Sequence, residues 1–332
     1  MDELIRVISL VKEFSIHSSF LDLLFEGRRT AVVHAVDNIS FHINKGEVLG
    51  LAGESGSGKS TTGRLLLRLI EPTSGQIAYK GKDMQSFSTH EMERIREKIQ
   101  IVFQDPNSSL SPRMSVGQAI GHPLKIHRIG NGREQKEKVL TLMEKIGLTP
   151  ADFLYRKYPH QLSGGQCQRV VLARALITYP EFIVADEPIA MADVSVRALI
   201  LELMKKLKDE FNLTYLFITH DLATAKYLCD RIAVMYLGRI VEIGTRNELF
   251  LNPHHPYTRA LLEAVPVPDP DQRRKGEVVR GEIPSAINPP PGCHFHPRCP
   301  FAMPECSLSR PPLKEIAPGH LSACLLSASQ SA

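Results

Sequence analysis

"VLGLAGESGSGKSTTGRLLLRLI", residues 48–70, decides the fold. Val48 to Ala52 is a short run with no polar face, the pattern of a strand buried on both sides in a parallel sheet. Gly53 to Ser60, "GESGSGKS", then fits the spacing G-x-x-x-x-G-K-[ST]. From Lys59 the apolar residues fall at helical spacing until "EPTSG" stops them. In the order strand, glycine-rich turn, helix, the turn's backbone N–H groups wrap phosphate oxygens. Gly53, Gly56 and Gly58 suit that role because they carry no Cβ to hold the phosphates off. Lys59 meets the β- and γ-phosphates and Ser60 offers a hydroxyl to Mg²⁺, with Glu54, Ser55, Ser57 and Thr61 completing the cradle. The pattern implies a nucleoside triphosphate and leaves the reaction open.

"FIVADE", residues 182–187, supplies a second half. Four apolar residues predict a buried strand with two carboxylates at its carboxyl end, the edge at which α/β sheets bind ligands. Asp186 suits the shell of a Mg²⁺ ion, and Glu187 beside it can activate a water. "QLSGGQCQR", residues 161–169, starts another helix. Ser163 and Gln166 form the Ser-x-x-Gln version of a capping box, and Gly164 and Gly165 let an anion approach the bare N–H groups at the positive end of the helix dipole. One chain thus carries two phosphate grips, one more than a single nucleotide needs.

Outward from these stretches, strands are predicted at "LIRVISLVKEF", "VVHAVDNISFHI", "TYLFITH", "IAVMYLG" and "IVEIG", with a helix at "VRALILELMKKLKDEF". Residues 91–178 read as mostly helical. Buried strands alternating with helices around a helical insertion indicate an α/β sheet with a helical subdomain at about 105–178. Composition shifts to proline near residue 255, in "VPVPDPD" and "INPPPG", so a first domain at 1–255 and an extension at 256–332 are expected. Residues 15–31 are a longer connection without an assigned role. At 332 residues, 43% hydrophobic and 23% charged, the chain has the composition of a soluble globular protein, and its net charge of +4 gives no argument for nucleic acid. No apolar stretch reaches the roughly 18–20 residues that span a bilayer, and the acidic N-terminus lacks the features of a signal peptide. A cytoplasmic protein is expected, with any membrane association through a partner.

Cys293, Cys299, Cys306 and Cys324 crowd the proline-rich tail, in a compartment where disulfides are not expected. Their spacing, C-x5-C-x6-C-x17-C, matches neither the common ferredoxin patterns nor a zinc ribbon. Spacing alone leaves a metal site and four independent thiols both open.

"GESGSGKS", "VFQDP", "LSGGQ", "FIVADE" and "FITHD", in that order, resemble the ATP-binding cassette (ABC) ATPases, members of the P-loop NTPases. "HPYTRALL" and "GCHFHPRCPFAMPEC" resemble the ATP-binding subunits of oligopeptide/dipeptide importers. The resemblance covers essentially the whole chain. It implies a mixed sheet core, ATP hydrolysis coupled to peptide transport, and a location at the cytoplasmic face of the membrane. By the same resemblance Gln104 joins the Mg²⁺ shell with Ser60 and Asp186, His220 contacts the γ-phosphate, and Phe14 stacks on adenine. Ser163, Gly164, Gly165 and Gln166 correspond to the signature motif that grips ATP lying on a partner subunit, which answers why there are two grips. Asp193 lies in the segment that crosses the seam between subunits. That segment departs from the family at Ile189, Ala190 and Ala192, and the signature helix departs at Cys167.

Implied partners are a homologous ATP-binding subunit paired head to tail, two integral membrane permease subunits and, indirectly, an external solute-binding protein. The tail resembles those that carry a 4Fe-4S cluster on Cys293, Cys299, Cys306 and Cys324. Zn²⁺ is the alternative, with His294, His296 or His320 replacing a thiolate. Import of a metal chelate or sugar, or a soluble non-transport ABC ATPase, are the alternative functions. A single cassette without sustained heptads argues against the soluble type, and no Asn-Lys-x-Asp sequence supports a guanine-reading switch.

Overall fold

A computed structural model of the chain describes residues 2–16, 31–190, 193–265 and 281–328. Residues 17–30 of the early connection, Ala192, and residues 266–280 of the proline-rich linker lie outside these. The strands are β1 (Glu3–Ile16), β2 (Ala31–Asn44), β3 (Val48–Ala52), β4 (Ser74–Tyr79), β5 (Lys82–Asp83), β6 (Ile99–Val102), β7 (Phe182–Asp186), β8 (Thr214–Thr219), β9 (Arg231–Tyr236), β10 (Arg239–Thr245), β11 (Lys314–Ala317) and β12 (His320–Ser322). Two compact units emerge. One comprises Met1–Asp2, Asn44–Val48 and Ser86–Ile218, and the other Glu3–Ile43, Leu49–Gln85 and Thr219–Ala332.

In the unit that holds residues 86–218, β7 lies between β6 and β8, all parallel, with Val184 opposite Ile101 on one side and Leu216 on the other. Every residue of β7 and β8 is buried, as their unbroken apolar sequences require. Residues 91–178 are mostly helical, as expected, but strand β6 stands among the helices. Its four residues, "IQIV", are too short to show a period, and they follow the helix Thr89–Lys98 without a break. Pairing with β7 makes them a strand. The helices Val116–Ile126 and Gly132–Lys145 pack together in the same unit.

In the other unit, β2, β1, β4 and β5 form a sheet in that order, with β4 antiparallel to both β1 and β5. Strand β1 buries Leu4, Ile5, Val7 and Leu10, its alternation broken at a bulge where Ser9 takes a φ of 46°. Strand β3 runs parallel to β9, and β9 turns back into β10 through Leu237 and Gly238, both at positive φ. Strand β10 then pairs with β12 and β12 with β11, so the cysteine-bearing tail adds strands to the sheet that carries the phosphate loop. The sequence did not predict β4, β5, β11 or β12. Among the described residues no helix is long and apolar enough to cross a membrane.

Candidate active site

The glycine-rich loop leaves β3 and enters helix α1 (Lys59–Leu66), which has no side-chain cap and no acidic residue in its first turn. A helix N-terminus of this kind suits an anion. Two glycines are dictated by space as well as by backbone. A Cβ on Gly53 (φ 153°) would fall 2.1 Å from the Met235 carbonyl oxygen, and one on Gly58 (φ 103°) 2.1 Å from that of Ala35. Lys59 is 5% exposed, and its Nζ donates to the carbonyls of Gly53 (2.8 Å) and Glu54 (2.7 Å) and to Ser57 Oγ (3.3 Å). A buried ammonium must be compensated, and here the loop's own oxygens provide that compensation. Ser57 is buried, Ser60 and Thr61 are half-buried in the first turn of α1, and Ser55 and Gly56 are exposed.

Two side chains that the motif does not contain also reach the loop. Tyr257 Oη accepts the Glu54 N–H at 2.9 Å, and Arg298 forms a two-pronged ion pair with the Glu54 carboxylate. They lie some two hundred residues downstream, and no local signal marks them.

The carboxylate pair belongs to the other unit. Asp186 ends β7 and is 5% exposed. Glu187 takes a left-handed φ of 46°, while its N–H donates to the Ile218 carbonyl at 3.0 Å and its carbonyl accepts the Ala190 N–H at 3.1 Å. A non-glycine residue in that conformation stores strain of the kind found at reacting centres. Gln104, just beyond β6, donates from Nε2 to Glu187 Oε2 at 3.0 Å. Two residues assigned separate roles from the sequence are thus joined by their side chains. Of the departures after the pair, Ile189 is buried and Ala190 half-buried.

The signature stretch forms its capping box as expected. Ser163 Oγ accepts from Gln166 N at 3.3 Å, and Gln166 Oε1 accepts from Ser163 N at 3.0 Å, at the start of helix α2 (Gly164–Leu176). A Cβ on Gly164 would meet nothing within 4 Å, so this end is open to a ligand, whereas one on Gly165 would meet Val196 at 2.9 Å. Cys167 points inward, 2% exposed, its thiol 3.6 Å from the Pro159 carbonyl. Buried Gln168, which sequence reading missed, donates to the carbonyl of Pro188 and so ties the signature helix to the residue after Glu187. Asp193 is exposed and begins helix α3 (Val194–Phe211) without closing a capping bond.

His220 is exposed and directly follows β8. Phe14, near the end of β1, is 41% exposed with Lys12 Nζ 5.0 Å from its ring centre, so it is not a core aromatic.

In the tail, His320 Nε2 and Glu242 Oε1 meet at 2.8 Å with both side chains fully buried. Burial alone would raise the Glu242 carboxyl, but bonds from His320, Thr258 and the N–H groups of His254 and His255 hold it below the usual carboxylate range. The four tail cysteines share one neighbourhood. Burial raises the Cys293 thiol, and raises that of Cys299 to about 11. Charge on Cys306 and Cys324 adds to the rise at Cys293, and charge on Cys324, Cys293 and Cys306 to that at Cys299, while N–H groups of Phe295 and His296 at Cys293, and of Phe301 at Cys299, oppose it. Among the described residues, however, no group of three or more Cys, His, Asp or Glu side chains is disposed to hold a metal ion. The expected thiolate set is therefore not closed. The histidines of the zinc alternative face other groups, with His294 on the Leu237 carbonyl, His296 on that of Cys293, and His320 on Glu242.

Comparison with known proteins gives a family model described as "ABC transporter" over residues 36–190, and one described as "Oligopeptide/dipeptide transporter, C-terminal region" over 241–306. A putative peptide import ATP-binding protein of Brucella ovis is 50% identical over 90% of this chain and 93% of its own length. The oligopeptide transport ATP-binding protein AppF of Bacillus subtilis is 46% identical over 98% of each chain. Among solved structures, a dimeric post-hydrolysis ATP-binding cassette bound to ADP and Pi has a TM-score of 0.63 and 28% identity, covering 73% of this chain and 98% of that one.

Proposed function

The chain belongs to the family of ABC transporter ATPases, and from that membership we propose that it powers the import of oligopeptides or dipeptides through a membrane permease. The observation that carries the reading is the extent of the likeness. Relatives named for peptide transport align over both cassette and tail, and the peptide-transporter family model covers 241–306, beyond the cassette match.

The loop Gly53–Thr61 cradles ATP through its N–H groups, and Lys59 exchanges the carbonyls of Gly53 and Glu54 for the β- and γ-phosphates. Phe14, exposed on β1, stacks on adenine. Glu187 activates the attacking water, held in orientation by Gln104, while His220 contacts the γ-phosphate. The hydroxyl of Ser60, the amide of Gln104 and the carboxylate of Asp186 are hard oxygen donors that fit Mg²⁺, which when bound neutralises charge on the phosphate oxygens. Ser163, Gly164, Gly165 and Gln166 grip the nucleotide of a homologous subunit in a head-to-tail pair. The open N-terminus of α2 supports this. Asp193 lies at the seam of that pair. Closure on ATP and reopening after hydrolysis then drive a conformational cycle in two permease subunits, fed by an external solute-binding protein.

The cassette works at the cytoplasmic face, as domain 1–255 with its helical subdomain and an extension at 256–332. In that extension Cys293, Cys299, Cys306 and Cys324 are sulfur donors in one electrostatic neighbourhood, a chemistry that suits a structural 4Fe-4S cluster.

The test is reconstitution with the membrane subunits that co-purify with the chain. A peptide-loaded binding protein should accelerate ATP hydrolysis. Stimulation only by a sugar- or chelate-loaded protein would reassign the cargo, and absence of membrane partners would remove the transport reading.

A further inference from the structure

Glu54 is held at several points, and two of the residues that hold it, Tyr257 and Arg298, lie more than two hundred residues downstream. Its carbonyl accepts from Lys59 and its N–H donates to Tyr257 Oη. Its carboxylate receives Arg298 Nη1 on Oε2 at 2.8 Å and Arg298 Nη2 on Oε1 at 3.1 Å. The Arg298 side chain is 9% exposed and that of Glu54 28%, so this is a largely covered fork rather than a surface pair screened by water. The guanidinium is itself fixed, 5.8 Å from the Tyr236 ring centre and 6.0 Å from that of Phe295. Those rings and Tyr257 pack on one another with centroids 4.6 to 5.3 Å apart. Arg298 stands between Cys293 and Cys299, at the end of the short 3-10 helix His296–Arg298.

We propose that Arg298 is a positioning residue for ATP binding that acts through Glu54, so that the tail sets the grip of the phosphate loop. Two physical requirements lead there. When Lys59 turns to the phosphates, the Gly53 and Glu54 carbonyls lose the lysine, the Glu54 carbonyl keeps the Ser57 N–H at 3.3 Å, and the holds on Glu54 from outside carry more of the loop's shape. Glu54 also places a carboxylate in a loop that must accept a polyanion, and Arg298 neutralises it in a covered setting where charges act strongly. Without Arg298 the same carboxylate is unpaired and repels ATP. The inference deepens the nucleotide-site assignment above and rests on it.

The decisive experiment is a cycle in the full-length chain, reading ATP affinity, the KM and kcat of hydrolysis, and melting temperature. Arg298→Ala should raise the ATP dissociation constant and KM roughly 10- to 100-fold, the size expected when a covered polar group is left without its partner, with kcat changed far less. Arg298→Lys, which keeps the charge but not the fork, should fall between. Glu54→Gln alone should be mild. The double variant Glu54→Gln with Arg298→Ala should bind ATP better than Arg298→Ala alone, because the repelling carboxylate is gone. A purely structural arginine gives no such rescue. Unchanged ATP affinity in Arg298→Ala, or a double variant no better than that single one, overturns the inference. Lys59→Ala is the separate control. If it leaves ATP binding intact, the loop assignment itself is wrong, whereas its loss of binding beside an unaffected Arg298→Ala removes only the role of the tail.

Discussion

Gly58→Ala and Gly56→Ala change neighbouring glycines by the same methyl group, and the structure predicts opposite severities. Gly56 has a φ of 78° with nothing within 4 Å of an added Cβ, so alanine there meets only the backbone preference, about 1–2 kcal/mol. Gly58 has a φ of 103°, beyond the left-handed well that alanine tolerates. Its Cβ would also fall 2.1 Å from the Ala35 carbonyl oxygen and 2.8 Å from Met235 Cε. The methionine end can swing away, but the carbonyl is strand backbone. Against an ordinary carbon–oxygen contact of roughly 3.3 Å, one backbone must give by about 1.2 Å. Strain of about 1–2 kcal/mol and overpacking of about 1–3 kcal/mol together reach about 2–5 kcal/mol. Any relief comes from moving the loop, and moving it displaces Lys59 and the first N–H groups of α1. Melting temperature and equilibrium ATP binding on the full-length variants read both consequences. Gly56→Ala should melt slightly early, while Gly58→Ala should melt much earlier and lose most ATP affinity. A Gly58→Ala protein matching Gly56→Ala in both would mean that the loop does not pass against Ala35 as described.

Glu187→Gln should retain ATP affinity while hydrolysis falls by orders of magnitude, checked by single-turnover phosphate release, and a variant keeping most of its turnover takes Glu187 out of the mechanism. Acid should loosen the end of the cassette: burial lowers His255 from 6.5 to about 4, and its Nδ1 must stay unprotonated to accept the Tyr257 N–H. The unfolded chain then binds a proton near pH 6.5 that the folded chain refuses until about 4, so stability falls with pH across that window by about 3 kcal/mol. Glu242, whose carboxyl is held low, adds a further loss below that window as it is protonated. His255→Asn, which keeps a capping acceptor, should flatten the melting profile between pH 6.5 and 4, and an unchanged slope would clear His255. Anaerobically purified protein should be brown with about four irons per chain, and Cys299→Ser should bleach it while sparing nucleotide binding; colourless protein with one zinc would replace the iron assignment.

What could be read from the sequence was what short stretches decide by themselves. Val48–Ala52 and Phe182–Asp186 are too apolar to have a solvent face, and both are fully buried. Ser163 and Gln166 need only each other to close their capping box, and they do. Strand β6 escaped because four residues carry no period and only β7 makes them a strand. Strands β11 and β12 escaped for the same reason, since "HLS" becomes a strand by joining β10 and "KEIA" by joining β12 in turn. The cysteines were visible as residues, but whether they form a ligand set depends on how the chain gathers them.

The site's fixings were illegible for a sharper reason. Motif spacing reports groups that bind the ligand and is silent on the groups that hold them, because a holding partner can come from anywhere in the chain. Gln104 and Glu187 are 83 residues apart, and Glu54 and Arg298 are 244. Gln168 looks like one more polar position in the signature helix, yet its amide is spent on the Pro188 carbonyl. Each of these bonds uses a residue type common on protein surfaces, so composition gives no warning. The energetics nevertheless differ from those of a surface contact. Arg298 and Gln168 are covered, and a covered polar group left without its partner costs far more than an exposed one. Such residues are therefore committed to their contacts, and substituting them disturbs the nucleotide site from a distance that its motifs do not reveal.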